Sequence, residues 1–130
     1  MINDLVTVVI PTYNDSQYLK KAIDDILKQT YEKFELLIVN DGSTDNTEEI
    51  LLEYEKKDKR IKVFNKKNGG TGSALNYGFS KANGEFGTWV SSDDSKEETY
   101  LEDLVNFLIK NRDIEFVCSS FFSKYLNKTV

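Results

Sequence analysis

Residues 34–47 read FELLIVNDGSTDNT, an apolar run that passes without a break into a cluster of turn-forming and capping residues. Phe34 to Val39 has the length and content of a strand covered on both faces, because a half-exposed strand would alternate polar and apolar positions. The Asn, Asp, Gly, Ser and Thr side chains that follow compete for backbone hydrogen bonds, which ends a strand and caps a helix. A buried strand handed directly to a helix is the unit of a parallel α/β sheet, and the rest of the chain repeats it.

Upstream, Leu5 to Ile10 (LVTVVI) is a second strand-length apolar run that stops at Pro11, the one proline of the chain. Leu19, Ala22, Ile23, Ile26 and Leu27 then fall at helical spacing, so an amphipathic helix is expected from Asp15 or Ser16 to Gln29, with Ser16 as its N-cap. Downstream, a helix is expected from Thr44 or Asp45 to Lys56 and a strand over Ile61 to Phe64. The glycine-rich stretch NGGTGSALNYG (68–78) leads into a helix over Ser73 to Ala82, followed by a strand over Phe86 to Val90. A helix over Thr99 to Lys110 and a last strand over Phe116 to Phe122 complete the series, and Lys124 to Val130 forms a polar end. The order β-α-β-α-β-α-β-α-β predicts an α/β fold with a mostly parallel central sheet and helices on both faces. No internal repeat or linker divides the chain, and 130 residues with 39% hydrophobic content suit a single domain, 1–130.

Seventeen Lys and Arg against 22 Asp and Glu leave a net charge of −5, whereas nucleic-acid binders need positive charge to displace counterions from phosphates. Nucleic acid is therefore not an expected partner. The single Cys118 cannot form an internal disulfide and is expected to be a buried thiol, so nothing points to an oxidising compartment. Asp4 precedes a strand-length apolar run, unlike the basic start of a signal peptide, and no run approaches the ~18 apolar residues of a membrane span. The expected location is the cytoplasm. With no His in the chain, a metal would have to be held by oxygen ligands, which favours Mg²⁺ or Mn²⁺ over Zn²⁺.

Ligands of doubly wound sheets sit beyond the carboxyl ends of the strands, so the residues that follow each strand are the candidates. They are Pro11-Thr12-Tyr13-Asn14, Asn40 to Asp45, Asn65 with the glycines after it, and Ser91-Ser92-Asp93-Asp94-Ser95. Asp93 and Asp94 come straight off an apolar strand, where adjacent carboxylates repel unless a cation or donors offset them. They read either as ligands of a divalent cation or as the turn and cap of the next helix. Asp41 reads either as part of an ordinary turn or as an acceptor for a base or ribose, and Tyr13 either as a ring stacked on a base or as packing under a loop. Gly69, Gly70 and Gly72 match neither GxGxxG nor a P-loop. Trp89 is expected in the core, and Lys56-Lys57 and Lys66-Lys67 on solvated faces.

Taken together and in order, VTVVIPTYN (6–14), QTY (29–31), FELLIVNDGSTDNT (34–47), NGGTGSALNYG (68–78) and NGEFGTWVSSDDS (83–95) resemble the N-terminal half of glycosyltransferase family 2. The resemblance runs from about Val6 to Ser95, and the LEDLVNFL and FVCSSF segments look like the family's continuation. It implies a Rossmann-like GT-A fold and transfer of a sugar, with inversion, from a nucleotide-diphosphate sugar to an acceptor hydroxyl. The donor it implies is most often a UDP-sugar, the cofactor Mn²⁺ or Mg²⁺, and the acceptor a glycan or lipid-linked carrier in cell-surface polysaccharide or glycoconjugate synthesis. Carried onto this chain, Pro11, Thr12 and Tyr13 would line the nucleoside pocket, Asp41 would accept from the base, and Asn76 would frame the pocket. Asp94 would be the preferred metal ligand, with Asp93 a second ligand nearer the ribose or sugar.

Two positions depart from the family pattern. Many relatives read Asp-x-Asp-Asp where this chain has Ser91, Ser92, Asp93 and Asp94, and many carry a basic residue where Leu75 stands. The family's catalytic base lies in a later segment, so it is expected beyond Val130, with the chain a truncated nucleotide-sugar-binding part. The full-length protein is then expected at the cytoplasmic face of the membrane. The competing expectations are a non-catalytic nucleotide-binding or interaction module of the same fold, and a plain structural α/β domain.

Overall fold

The structure, a computed structural model, describes residues 4–111. Val6–Thr12 (β1) and Phe34–Asn40 (β2) lie side by side at its centre, paired in parallel from Val6 opposite Phe34 to Thr12 opposite Asn40. Ile61–Asn65 (β3) pairs with the outer side of β2, and Phe86–Trp89 (β4) with the free side of β1, giving an all-parallel order β3-β2-β1-β4. The connections are the helices Ser16–Leu27 (α1), Thr47–Lys57 (α2) and Thr71–Ser80 (α3), and Tyr100–Lys110 (α4) follows β4. The expected strand over Phe116 to Phe122, with Cys118, and the polar end of the chain lie outside the described residues.

The two faces of the sheet are covered unequally. Val6, Val8, Ile10, Phe34, Leu36 and Ile38 pack against α1, α2 and α4 in one core cluster. Val9, Leu37 and Val39 form a smaller cluster with Ala74 of α3, with Phe64, Leu75 and Tyr77 at its margin. Strand order explains the split. The steps from β1 to β2 to β3 run one way, and the step from β3 to β4 runs back across both, so right-handed crossovers put α3 on the opposite face from α1 and α2.

The strand expected to stop at Pro11 continues through it to Thr12. The Val6 amide donates to the Lys33 carbonyl on the β2 side, and the Val9 carbonyl accepts from Val90 on the β4 side. By the alternation of a ladder, the missing amide of Pro11 falls on the β4 side, beyond the last pair, Val9 opposite Trp89. No ladder bond is lost there, so proline is tolerated. Gln29, buried at the end of α1, gives the QTY stretch its structural meaning. Its side-chain amide donates to the Glu97 carbonyl at 2.6 Å and its side-chain oxygen accepts from the Leu101 amide at 2.9 Å, so it satisfies an otherwise open donor of the first turn of α4.

Two features hold α3 and β4 to the sheet. Gly78 lets α3 lie directly on β1, for a Cβ there would come within 2.6 Å of Val9 Cγ1. Glu35, buried on the α3 side of β2, accepts from the Thr7 hydroxyl (2.6 Å), the Asn83 amide (2.6 Å) and the Asn83 side chain (3.2 Å). Burial alone would raise its pKa, but these bonds and Lys62 outweigh it and hold the carboxyl below its ordinary value.

Gly78→Ala is expected to destabilise the chain by about 1–3 kcal/mol through overpacking, as read from urea denaturation. Glu35 has a depressed pKa in the folded state, so its contribution is present above the unfolded value near 4.5 and is lost as pH falls through the folded one. Denaturation midpoints measured downward from pH 6 should therefore fall more steeply in the wild type than in Glu35→Gln.

Candidate functional site

Strand order reverses at β1, whose chain-neighbour β2 lies on one side and β4 on the other. A crevice opens at such a switch point, beyond the carboxyl ends of the strands. A cleft of ≈ 400 Å³ occupies that place. The end of β1 contributes Pro11, Thr12 and Tyr13, and the end of β4 contributes Trp89, Ser91 and Ser92. Asp15 at the start of α1, Asp41 after β2, and Thr71 and Ala74 of α3 complete the lining.

The loops after β1 and β2 are cross-linked through Asn14, one of the few non-glycine residues at positive φ (52°), a conformation Asn tolerates well. Its side-chain oxygen accepts from the amides of Thr44 (2.7 Å) and Asp45 (3.3 Å), and its own amide donates to Ser43 Oγ (3.0 Å). Asp45 in turn accepts from the amides of Ser16 (3.3 Å) and Thr47 (3.0 Å), so one carboxylate serves the N-termini of both α1 and α2. Ser16, expected as the N-cap of α1, is instead its first residue; Asp15 holds the capping position, without a side-chain cap hydrogen bond.

Asp41 is 3% exposed and its carboxylate is the hub of the glycine-rich segment. It accepts from Lys66 Nζ (2.8 Å), the Gly69 amide (3.0 Å) and the Gly70 amide (2.9 Å), while Asn68 donates to its backbone carbonyl (2.9 Å). Burial alone would raise its pKa. The Lys66 ammonium and the two glycine amides outweigh that and hold it below the ordinary carboxylate value, so it is an anion at neutral pH. Gly42 beside it has φ 79° and stands so close that a Cβ would lie 2.8 Å from the Asn68 amide nitrogen. Lys66, expected on a solvated face, is therefore a partner of the site.

The acidic loop after β4 is fastened on both sides. Ser92 donates to Asp15 Oδ2 at 2.6 Å, and Asp25 of α1 accepts from Ser95 Oγ (3.1 Å) and the Lys96 amide (3.1 Å). Between these anchors Asp93 and Asp94 are exposed. Asp93 accepts from Ser91 Oγ at 2.7 Å, and Asp94 lies 4.0 Å from Lys96 Nζ. Neither caps the next helix, whose N-cap is Thr99. Two adjacent carboxylates offer hard oxygen donors that fit Mg²⁺ or Mn²⁺. Among the described residues no group of three or more His, Cys, Asp or Glu converges, so such an ion would be shared with phosphate oxygens and water.

Three further positions bear on the sequence expectations. Trp89, expected in the core, is 40% exposed and lines the cleft, because the strand order leaves β4 at the sheet edge. Tyr13 is 49% exposed, so its ring does not pack under a loop. Asn76 stands on the exposed side of α3, two residues past Ala74, while the helix presents Thr71 and Ala74 to the cleft. Sequence reasoning missed Asp15, Thr71 and Ala74, which no local pattern marks. Thr12 is 2% exposed, and its hydroxyl is the one buried side-chain polar atom, among the described residues, without a hydrogen-bond partner in the protein. Such a group is costly to bury unless something in the cleft completes it.

Asp41→Ala would leave a buried ammonium and two amides without their acceptor, with an expected loss of about 3 kcal/mol in urea denaturation.

Comparison with known proteins agrees with this architecture. The family model described as "Glycosyl transferase family 2" matches residues 7–128. An uncharacterized glycosyltransferase of Rickettsia typhi is 46% identical over 88% of this chain and 36% of its own length. Glycosyltransferase GlyG of Streptococcus pneumoniae serotype 4 is 38% identical over 94% of this chain and 40% of its own. Among solved structures, S. aureus TarS in complex with UDP superposes with a TM-score of 0.75 at 32% identity, covering 82% of this chain and 32% of that one. The mannosyltransferase PcManGT of Pyrobaculum calidifontis, in complex with GDP-Man and Mn²⁺, does so with a TM-score of 0.74 at 27% identity, covering 79% and 32%. The chain spans 36% and 40% of the length of these two curated relatives. With an all-parallel sheet, a cleft at its switch point and a family match across nearly its whole length, the chain belongs to glycosyltransferase family 2 and has the Rossmann-like GT-A fold.

Proposed function

We propose that this chain forms the nucleotide-sugar-binding part of an enzyme that transfers a sugar, with inversion, from a nucleotide diphosphate to a hydroxyl of a glycan or lipid-linked acceptor. The observation that carries the reading is the ≈ 400 Å³ cleft at the β1 switch point, which joins an exposed aromatic ring, a buried anion and an unpartnered buried hydroxyl. A volume of this order suits a small-molecule ligand. Two structural relatives, one in complex with UDP and one with GDP-Man and Mn²⁺, support the ligand class. UDP is our choice of nucleotide, supported also by a TarS complex with UDP-GlcNAc.

In this reading Tyr13 stacks on the base, Pro11 shapes the pocket beside it, and Asp41 accepts a hydrogen bond from the base edge. Thr12 gives or receives a bond through its hydroxyl, and Asn76 adds to the outer frame of α3. Asp94, with Asp93, would hold Mn²⁺ or Mg²⁺, an ion that when bound offsets the charge of the departing diphosphate. Ser91 and the Ser92–Asp15 bond keep the acidic loop aimed before any ligand arrives. The carboxylate that deprotonates the acceptor is not among the residues assigned above, so this chain by itself is expected to bind nucleotide and to transfer sugar poorly or not at all. No described helix is long and apolar enough to cross a membrane. We assign the protein to the cytoplasmic side, working at the membrane face in cell-surface polysaccharide or glycoconjugate synthesis.

Calorimetric titration of UDP into the chain, with and without Mn²⁺ and again with Asp94→Ala, tests this. The expected result is metal-dependent binding, weakened by about tenfold or more in the variant through loss of a metal ligand. Absence of binding by both UDP and GDP with Mn²⁺ present would count against the reading.

A further inference from the structure

Lys66 stands just past the end of β3, where its amide donates to the Asn40 carbonyl at 3.0 Å, so its backbone position follows from the last rung of the β2–β3 ladder. Its side chain is only 16% exposed. Nζ donates to Asp41 Oδ1 at 2.8 Å and to the Lys67 carbonyl at 2.6 Å. Gly69 makes room for it, since a Cβ there would lie 3.1 Å from Nζ and 2.9 Å from Ser73 Oγ. A solvated lysine keeps its rotamer freedom, whereas this one gives it up in a built pocket.

The arrangement loads the two oxygens of Asp41 unequally. Oδ1 takes both Lys66 and the Gly69 amide, while Oδ2 takes the Gly70 amide at 2.9 Å and has Asn68 Nδ2 only at 3.5 Å. Asp41 also lines the cleft. An ionised carboxylate only accepts hydrogen bonds. It therefore favours a base that presents a ring N–H, as uracil and guanine do, over cytosine, whose ring N3 is a lone pair and whose one donor on that edge is the exocyclic amine.

We propose that Lys66 is a specificity-determining positioning residue, which acts through Asp41 to keep an oriented, acceptor-only group at the cleft wall and so selects nucleotides whose base carries a ring N–H. The inference rests on the nucleotide-binding reading above. Asp41 is held as an anion by Lys66 and the glycine amides together, and Lys66 is the one of these that a side-chain substitution removes.

The test is calorimetric titration of UDP, GDP and CDP, each with Mn²⁺, into the wild type, Lys66→Met and Lys66→Arg. The wild type is expected to bind UDP about tenfold or more tighter than CDP, as a site built around a hydrogen bond rejects a ligand that lacks the matching group. Lys66→Met is expected to lose most of that preference, and Lys66→Arg to keep it. A Lys66→Met chain with the wild-type ratio of CDP to UDP dissociation constants overturns the inference, even if both affinities fall together, because a merely structural lysine would weaken them alike. Should Lys66→Met not fold, NMR of the wild type decides. Lys66 ammonium and Gly69 and Gly70 amide signals that shift with UDP but not with inorganic pyrophosphate support the inference, and signals unmoved by saturating UDP overturn it. If the wild type binds no nucleotide at all, the proposed function itself has failed, and this inference falls with it.

Discussion

A carboxylate almost without solvent persists as an anion only if donors surround it, and Asp41 meets that condition at the end of the second strand. Much of the site follows from it. Satisfying Asp41 draws in Lys66 from the end of β3 and the amides of Gly69 and Gly70, and so fixes the approach to α3. The start of α3 then stands against the cleft, with Thr71 and Ala74 on its wall. The anion is at once a structural tie and part of the cleft wall.

The opposite side of the cleft uses the same economy of side chains. Asn14 and Asp45 fasten the loop after β1 to the loop after β2, while Ser92 and Asp15 fasten the start of α1 to the loop after β4. Each of these contacts joins segments remote in sequence, so the loops are held by one another as well as by their own turns. Ser91 and Ser92 each make a contact that holds the acidic loop. One hydroxyl orients Asp93 and the other engages Asp15.

The strands and their order along the chain were legible because a continuous apolar run followed by capping residues has few other structural solutions, and FELLIVNDGSTDNT is such a run. Helix positions were legible to within two or three residues, since caps and frayed turns blur their ends. What was not legible depends on strand order. Whether Pro11 could remain in a strand was decided by which neighbour its missing amide faced and where that neighbour ended. The exposure of Trp89 was decided by β4 lying outside β1. The pairing of Lys66 with Asp41 spans 25 residues and two strands, and nothing local in a Lys-Lys dipeptide announces it. Pro11, Thr12, Tyr13 and Asp41 were singled out at the carboxyl ends of strands and do line the cleft, whereas Asp93 and Asp94, singled out in the same way, are not part of its lining; Asp15 was missed because its carboxylate reaches away from α1 to Ser92.

The lopsided cover of the sheet has a consequence for what sets the wall of the cleft. α1, α2 and α4 share one large cluster with the sheet, whereas α3 is held by a small cluster around Ala74, the close approach at Gly78 and the contacts of Asp41. α3 nevertheless lies directly on both central strands, because Gly78 brings it against Val9 and Val39. The wall of the cleft formed by Thr71 and Ala74 is therefore placed by a glycine on the far side of the helix as much as by the polar contacts at its start.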